Sequence, residues 1–266
     1  MKRRRLLLIC ALALLSPGIA RAQGTVNALE NDFGGRMNVT ADKKIAKGVH
    51  LFAEGEARFS DNFSSMGRYQ GGAGLSWKIN KTFKAGAGYT FIRKQNSEGI
   101  WKARHRFYLD GTISLRAGDW RFSLKERLQL THRDVGNAYQ TTPNSLALKS
   151  RLKVSWKGLR DVTPYGYIEL RNVFNDPSVQ ATWSTASLAY GDYSFGGYND
   201  VYVNRIRGAV GAEWELSKKH SLDFFLLTDY NYDKNIDTNS EGTKLKSLTW
   251  DQAINVSLGV GYSFSF

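Results

Sequence analysis

"WKARHRFYLDGTISLRAGDWRFSLKERLQLTHR", residues 101–133, alternates apolar and polar side chains along two arms joined at Gly118-Asp119. In the first arm Trp101, Ala103, Phe107, Leu109, Ile113 and Leu115 alternate with Lys102, Arg104, Arg106, Tyr108, Asp110 and Arg116. In the second, Trp120, Phe122, Leu124, Leu128 and Leu130 alternate with Arg121, Ser123, Lys125, Arg127, Gln129 and Thr131. Successive side chains of a β-strand point to opposite faces, so this period makes one face apolar and the other charged. The stretch reads as a hairpin. A two-residue turn at Gly118-Asp119 sets Asp110 opposite Arg127, His105 opposite His132, and Gly111 opposite Glu126.

The same alternation recurs at 49–59, 69–79, 83–92, 146–157, 162–173, 201–216, 220–232 and 253–266, and less cleanly at 32–43. A soluble sandwich would also alternate, but its strands run to roughly 5–6 residues, whereas a tilted membrane strand needs about 9–11. The connections alternate between short ones (43–48, 80–82, 117–119, 157–161, 217–220) and long ones (60–67, 94–100, 134–145, 174–200, 233–250). Four of the seven tryptophans, Trp77, Trp120, Trp156 and Trp214, fall on the apolar face beside short turns. Tyr69, Phe91, Trp101, Tyr230 and Tyr232 fall on the same face beside long loops. Two aromatic girdles of this kind belong at the headgroup levels of a membrane.

These features predict an all-β fold, an antiparallel transmembrane β-barrel of about 12 strands (10–12), with short periplasmic turns and long extracellular loops. Eleven strands are readable, and bacterial single-chain barrels have even numbers. The expectation is therefore twelve, the last supplied by 23–31 or by part of 174–200; the alternative is a parallel pairing of first and last strands.

The two chain ends point to the same place. "MKRRR", an apolar "LLLICALALLSPGIA" and Ala20-Arg21-Ala22 read as a signal peptide over residues 1–22, leaving one barrel domain at 23–266. The only cysteine, Cys10, lies inside that leader, so the remainder offers no disulfide, thiolate metal site or cysteine nucleophile. Five of the 37 basic residues also lie there, which leaves 32 Lys and Arg against 24 Asp and Glu, a net of +8. In an exported chain that charge suits anionic lipid headgroups or a charged lining rather than nucleic acid. In "GVGYSFSF", residues 259–266, Val260, Tyr262, Phe264 and Phe266 form an apolar stripe. Such a final strand resembles the signal by which bacterial outer-membrane proteins reach the barrel assembly machinery. The expected location is the bacterial cell outer membrane, with its lipid and that machinery as partners.

A family resemblance rests on "DFGGRMNVTADKKI", "AGAGYTFIRK", "WKARHRFYLDGTISLR", "RFSLKERLQLTHR", "LKSRLKVSWK", "VTPYGYIELRN", "KKHSLDFFL" and "GVGYSFSF", in that order. The chain resembles an uncharacterised bacterial outer-membrane β-barrel family, a domain of unknown function common in Bacteroidota. The resemblance implies a fold and a location, and brings no activity. The 174–200 loop is longer than the family usually shows.

With the apolar face on lipid, the other face lines the interior. A basic wall gathers Lys102, Arg104, Arg106, Arg121, Lys125, Arg127, Arg133, Lys149, Arg151 and Lys153, against Asp110 alone. Acidic residues gather elsewhere, at Glu54, Glu56, Glu169, Glu213, Glu215, Asp223 and Asp229, with Arg171, Arg205 and Arg207 among them. Opposing walls that pair off would make a salt-bridged interior; an unpaired basic wall would make a porin-like path for anions. Eight strands give a filled lumen and sixteen a channel, so ten to twelve is intermediate. Gly72, Gly74, Gly86 and Gly88 leave a bare lumen patch, which eases curvature or admits the 174–200 loop or a ligand.

The apolar face has polar exceptions at His105, His132 and Ser150. A histidine that activates a serine performs acyl transfer, so a lipid-modifying enzyme is a third reading. No G-x-S-x-G or H-E-x-x-H spacing supports it, and no cofactor or metal motif occurs. The leading expectation is a structural or interaction barrel with a salt-bridged lumen and loops for a protein partner. A small-solute channel with anion preference stands second.

Overall fold

A strand with one apolar and one charged face needs a curved sheet that gives each face its own environment, and a closed barrel also removes free edges. The computed structural model, which describes residues 24–96 and 98–266, is such a barrel. Its strands are β1 (Thr25–Ala46), β2 (Val49–Ser60), β3 (Ser65–Lys78), β4 (Phe83–Gln95), β5 (Trp101–Ala117), β6 (Trp120–Arg133), β7 (Asn144–Trp156), β8 (Val162–Ser184), β9 (Ala189–Glu215), β10 (His220–Thr238) and β11 (Leu245–Ser265). Each pairs antiparallel with its sequence neighbours, and β1 closes on β11 in parallel. The expected signal peptide at 1–22 lies outside the described residues.

The expected count of twelve is corrected to eleven. Neither candidate segment makes a strand of its own. Residues 25–34 prolong β1 past the end of β2 and pair only with β11, from Thr25 opposite Thr249 to Gly34 opposite Ser257. Residues 174–200 prolong β8 and β9 as one hairpin, closing at Ser184 opposite Ala189. With an odd number of alternating strands the first and last run the same way, so the seam is parallel.

The expected long loops at 174–200 and 233–250 are also corrected, because both are mostly β-ribbon, with irregular connections only at 185–188 and 239–244. An apolar cluster supports them. Ile236, Leu245 and Leu248 are buried against Val179, Ala181, Tyr190 and Tyr193 of the neighbouring ribbon. The irregular 134–143 connection docks on the same ribbons: Asn137 Nδ2 donates to Thr238 Oγ1 at 3.1 Å, and Tyr139 meets the Phe195 ring edge-on at 5.2 Å. Three connections thus build a lobe over one side of the barrel mouth.

The hairpin register is the one the two-residue turn demands, with Gly118 at φ 60° and Asp110 opposite Arg127. Apolar side chains stand outside: Leu109, Ile168 and Val210 are 61, 62 and 61% exposed. Trp77, Trp120 and Trp214 are exposed at the short-turn end, and Trp120 packs on Trp156 at 6.4 Å. At the other end Tyr69 meets Trp101 at 5.1 Å, Phe91 meets His105 at 5.4 Å, Tyr230 donates to Gln252 at 3.0 Å, and Tyr232 stacks on Trp250 at 4.6 Å. In β11, Val260, Tyr262 and Phe264 face Phe224, Leu222 and His220 of β10, and Phe266 packs on Phe264 at 5.1 Å.

Candidate functional site in the lumen

The register turns the sequence-read basic wall inward but does not leave it uniform. On the β5–β6 hairpin the Arg127 guanidinium grips Asp110 with Nε at 2.6 Å and Nη2 at 2.8 Å, and Lys125 Nζ reaches the same carboxylate at 2.9 Å. Arg151 on β7 donates to Glu169 on β8 at 2.5 and 2.9 Å. Three cations of the wall also lie over inward aromatic rings: Arg127 over Tyr108 at 3.8 Å, Arg151 over Tyr167 at 4.3 Å, and Lys153 over Tyr165 at 3.7 Å. Arg121 faces Arg116 beside the turn, and Lys102 faces Lys94 near the mouth. Arg133 Nε donates to the Thr142 carbonyl at 3.2 Å.

The acidic residues meet arginines at mid-height. Glu169 accepts from Arg151 and from Arg205 Nη2 at 2.9 Å, with Arg207 at 3.7 Å. Asp229 accepts from Arg207 Nε at 2.5 Å and from Arg36 Nη2 at 2.6 Å. Two buried carboxylates therefore hold four arginines from three strands, β1, β7 and β9. Buried ion pairs of this kind survive only when hydrogen bonds satisfy them on several sides. Glu56 pairs with Arg58 on its own strand, Glu215 with Lys157 at 3.4 Å, and Asp223 accepts from the Tyr165 hydroxyl at 3.0 Å. Glu54 and Asp223 line a cavity of about 240 Å³, and Glu213 is the register partner of Asp223.

Toward the short-turn end, aromatic rings fill the space. Phe52 lies opposite Gly74 and Tyr108 opposite Gly88. A Cβ at Gly74 would lie 2.6 Å from the Phe52 ring, and one at Gly88 2.5 Å from the Tyr108 ring. Gly211 makes room for Tyr165 and Phe225 in the same way, and Gly259 for the Phe225 ring. The expected bare patch at Gly72, Gly74, Gly86 and Gly88 is thus occupied at its centre by two rings from adjacent strands, while the 174–200 segment stays in its own ribbon.

Above the ion-paired layer a cavity of about 880 Å³ opens, lined by Arg68, Arg104, Arg106, Lys149, Arg171 and Asp233 among others. Sequence reading had not singled out Arg36, Arg58 and Arg68, nor the inward rings Phe52, Tyr108, Tyr165, Tyr167 and Phe225. Their signal was available: each falls on the charged phase of its strand, and four of the five rings face a glycine on a neighbouring strand or pack against one.

On the outer face the serine and the histidines are not brought together. Ser150 is 5% exposed and donates to Glu126 at 2.6 Å. His105 Nδ1 pairs with the Tyr89 hydroxyl at 2.7 Å and His132 Nδ1 with Asn144 Oδ1 at 2.8 Å. Glu126 stays outward, because the β5–β6 and β6–β7 registers run through it without a bulge.

A model of a family described as protein of unknown function (DUF2490) matches residues 34–240, from β1 to the end of the β10 ribbon. No curated protein matches the chain.

Proposed function

The chain belongs to this family, and from that premise we propose a bacterial outer-membrane β-barrel whose lumen is closed at mid-height, working through a cationic vestibule and its overhanging ribbons. The observation that carries the reading is the pairing of Glu169 and Asp229 with Arg36, Arg151, Arg205 and Arg207, stacked over the rings of Phe52, Tyr108, Tyr165 and Phe225. Such a layer excludes the continuous water column a porin needs. Membrane placement is supported by strands of at least 12 residues with an apolar outer face. Aromatic residues flank that face at both ends, at the depth of lipid headgroups. With it go export through the 1–22 leader and assembly through the β11 stripe of Val260, Tyr262, Phe264 and Phe266. The ribbon lobe offers a rigid surface to a protein partner. No catalytic step is assigned, since Ser150, His105 and His132 are committed to Glu126, Tyr89 and Asn144.

The test is conductance of the refolded protein in a planar bilayer under a salt gradient, with folding checked by heat-modifiable gel migration. Silence is expected. Stable steps with an anion-selective reversal potential would replace this reading with the small-solute channel, which the surplus of cations above the layer favours.

A further inference from the structure

Like charges placed directly opposite on neighbouring strands are destabilising, and the upper lumen is built from them. Arg36, Arg58, Arg68, Lys94 and Lys102 are successive register partners from β1 to β5. Arg127, Lys149, Arg171 and Arg205 are successive partners from β6 to β9, and Arg104 faces Arg133. Carboxylates offset the charge of Arg36, Arg58, Arg127 and Arg205. Among the described residues none pairs with Arg68, Arg104, Arg106, Lys149 or Arg171, and these five line the cavity of about 880 Å³. The Nε atoms of Arg68, Arg104 and Arg171 are buried with no hydrogen-bond partner. A fold gains nothing from such a cluster by itself: Arg68, Arg104, Lys149 and Arg171 each face another cation, and Arg106 has only the Thr131 hydroxyl, at 3.1 Å from its Nε.

We propose that the vestibule is a binding site for a soluble polyanion bearing phosphate or carboxylate groups, held by Arg68, Arg104, Arg106, Lys149 and Arg171; the proposal rests on the reading of the lumen as closed below. Guanidinium forks match the oxygens of both groups bidentately. The cavity's Asp176 and Asp233 are held by Lys234 and Asn204, so five cations that no carboxylate pairs with call for several negative charges on one ligand, and the cavity has the size of a small-molecule site. The Glu169 and Asp229 layer forms the floor, so the ligand enters from the mouth.

The experiment is calorimetry and thermal unfolding of the detergent-refolded full chain with tripolyphosphate as the phosphate probe and citrate as the carboxylate probe. Either probe is expected to bind and raise the melting temperature, the tighter one naming the group. Arg104→Gln with Arg171→Gln is expected to weaken binding at least tenfold while raising the melting temperature of the unliganded protein, since it relieves repulsion. A merely structural role would lower it. Arg68→Gln, on β3, reads the same loss by a second route, and Arg116→Gln at the turn end leaves affinity unchanged. Absence of binding to both probes, or equal affinity in parent and variants, overturns the proposal. A barrel that conducts yet loses the probe in these variants keeps the site and discards the closed lumen. A silent barrel that binds neither probe does the reverse.

Discussion

Arg36 on β1 reaches over β11 to Asp229 on β10, with Nη2 2.6 Å from a carboxylate oxygen, and so clasps the parallel seam from inside. The same carboxylate takes Arg207 from β9. One side chain thereby ties the first strand to the ninth and tenth, at the only junction of the described strands that no hairpin enforces.

Asp229→Asn removes the charge that two buried arginines share. Breaking a buried pair from one side costs about 3–5 kcal/mol, so the variant is expected to lose that much in urea unfolding of the refolded barrel. Arg36→Met is expected to cost less, because Asp229 keeps Arg207.

Gly88→Val drives a branched side chain into the Tyr108 ring, where even a Cβ would sit at 2.5 Å. Overpacking of this kind costs about 1–3 kcal/mol. Tyr108→Ala in the same chain is expected to restore part of it, and a double-mutant cycle measures the coupling. Additive losses would show that the ring does not occupy the glycine's place.

Leu109→Arg and Leu115→Arg test how the outer face lies in a bilayer. Both side chains point outward, Leu109 near the middle of its strand and Leu115 beside the turn. Arginine on the lipid face costs about 2–4 kcal/mol at the midplane and about 0–1 near the interface. Folding into lipid vesicles is expected to suffer at 109 and hardly at 115. Equal, small costs would place the strand outside a membrane.

Asp176 sits beyond the barrel proper, in the β8–β9 ribbon, and burial raises its carboxyl above the ordinary aspartate range. Lys234 at 3.6 Å and the Tyr202 hydroxyl at 3.1 Å offset that only in part. The folded state therefore holds this proton more tightly than the unfolded chain. Its contribution is fullest below the ordinary aspartate value and is lost as pH rises through the raised one. Asp176→Asn is expected to match or exceed the parent's melting temperature at about pH 7, and to lose that advantage by about pH 4. A parent that is more stable than the variant at neutral pH would reverse the sign.

The β5–β6 hairpin was legible residue by residue, because a two-residue turn leaves no freedom of register. Asp110 opposite Arg127, His105 opposite His132 and Gly111 opposite Glu126 all follow from where Gly118-Asp119 falls. The 174–200 segment was legible as a long loop or, in part, as a twelfth strand, but not as a lengthening of β8 and β9. Bulges after Arg171, Val173 and Asp176 break its alternation, and its pairing is supported by Ile236 and Leu248 from another ribbon. The parity of the barrel was hidden for a similar reason, since whether 25–34 makes a new strand or lengthens β1 depends on where β11 lies.

Alternation is a property of one strand's own geometry, so the sequence by itself determined that the chain curls into a barrel and which side chains turn inward. Which inward charges meet is a matter of closure and stagger between strands far apart in the chain, as with Arg36 and Asp229, 193 residues apart. Only the tertiary structure could therefore divide the basic residues into those tied to Glu169, Asp229 and Asp110 and those, like Arg104 and Arg171, left facing a cavity. It also placed the rings of Phe52, Tyr108 and Phe225 over glycines of adjacent strands, because a side chain fills the space its neighbour leaves and that neighbour is chosen by the fold.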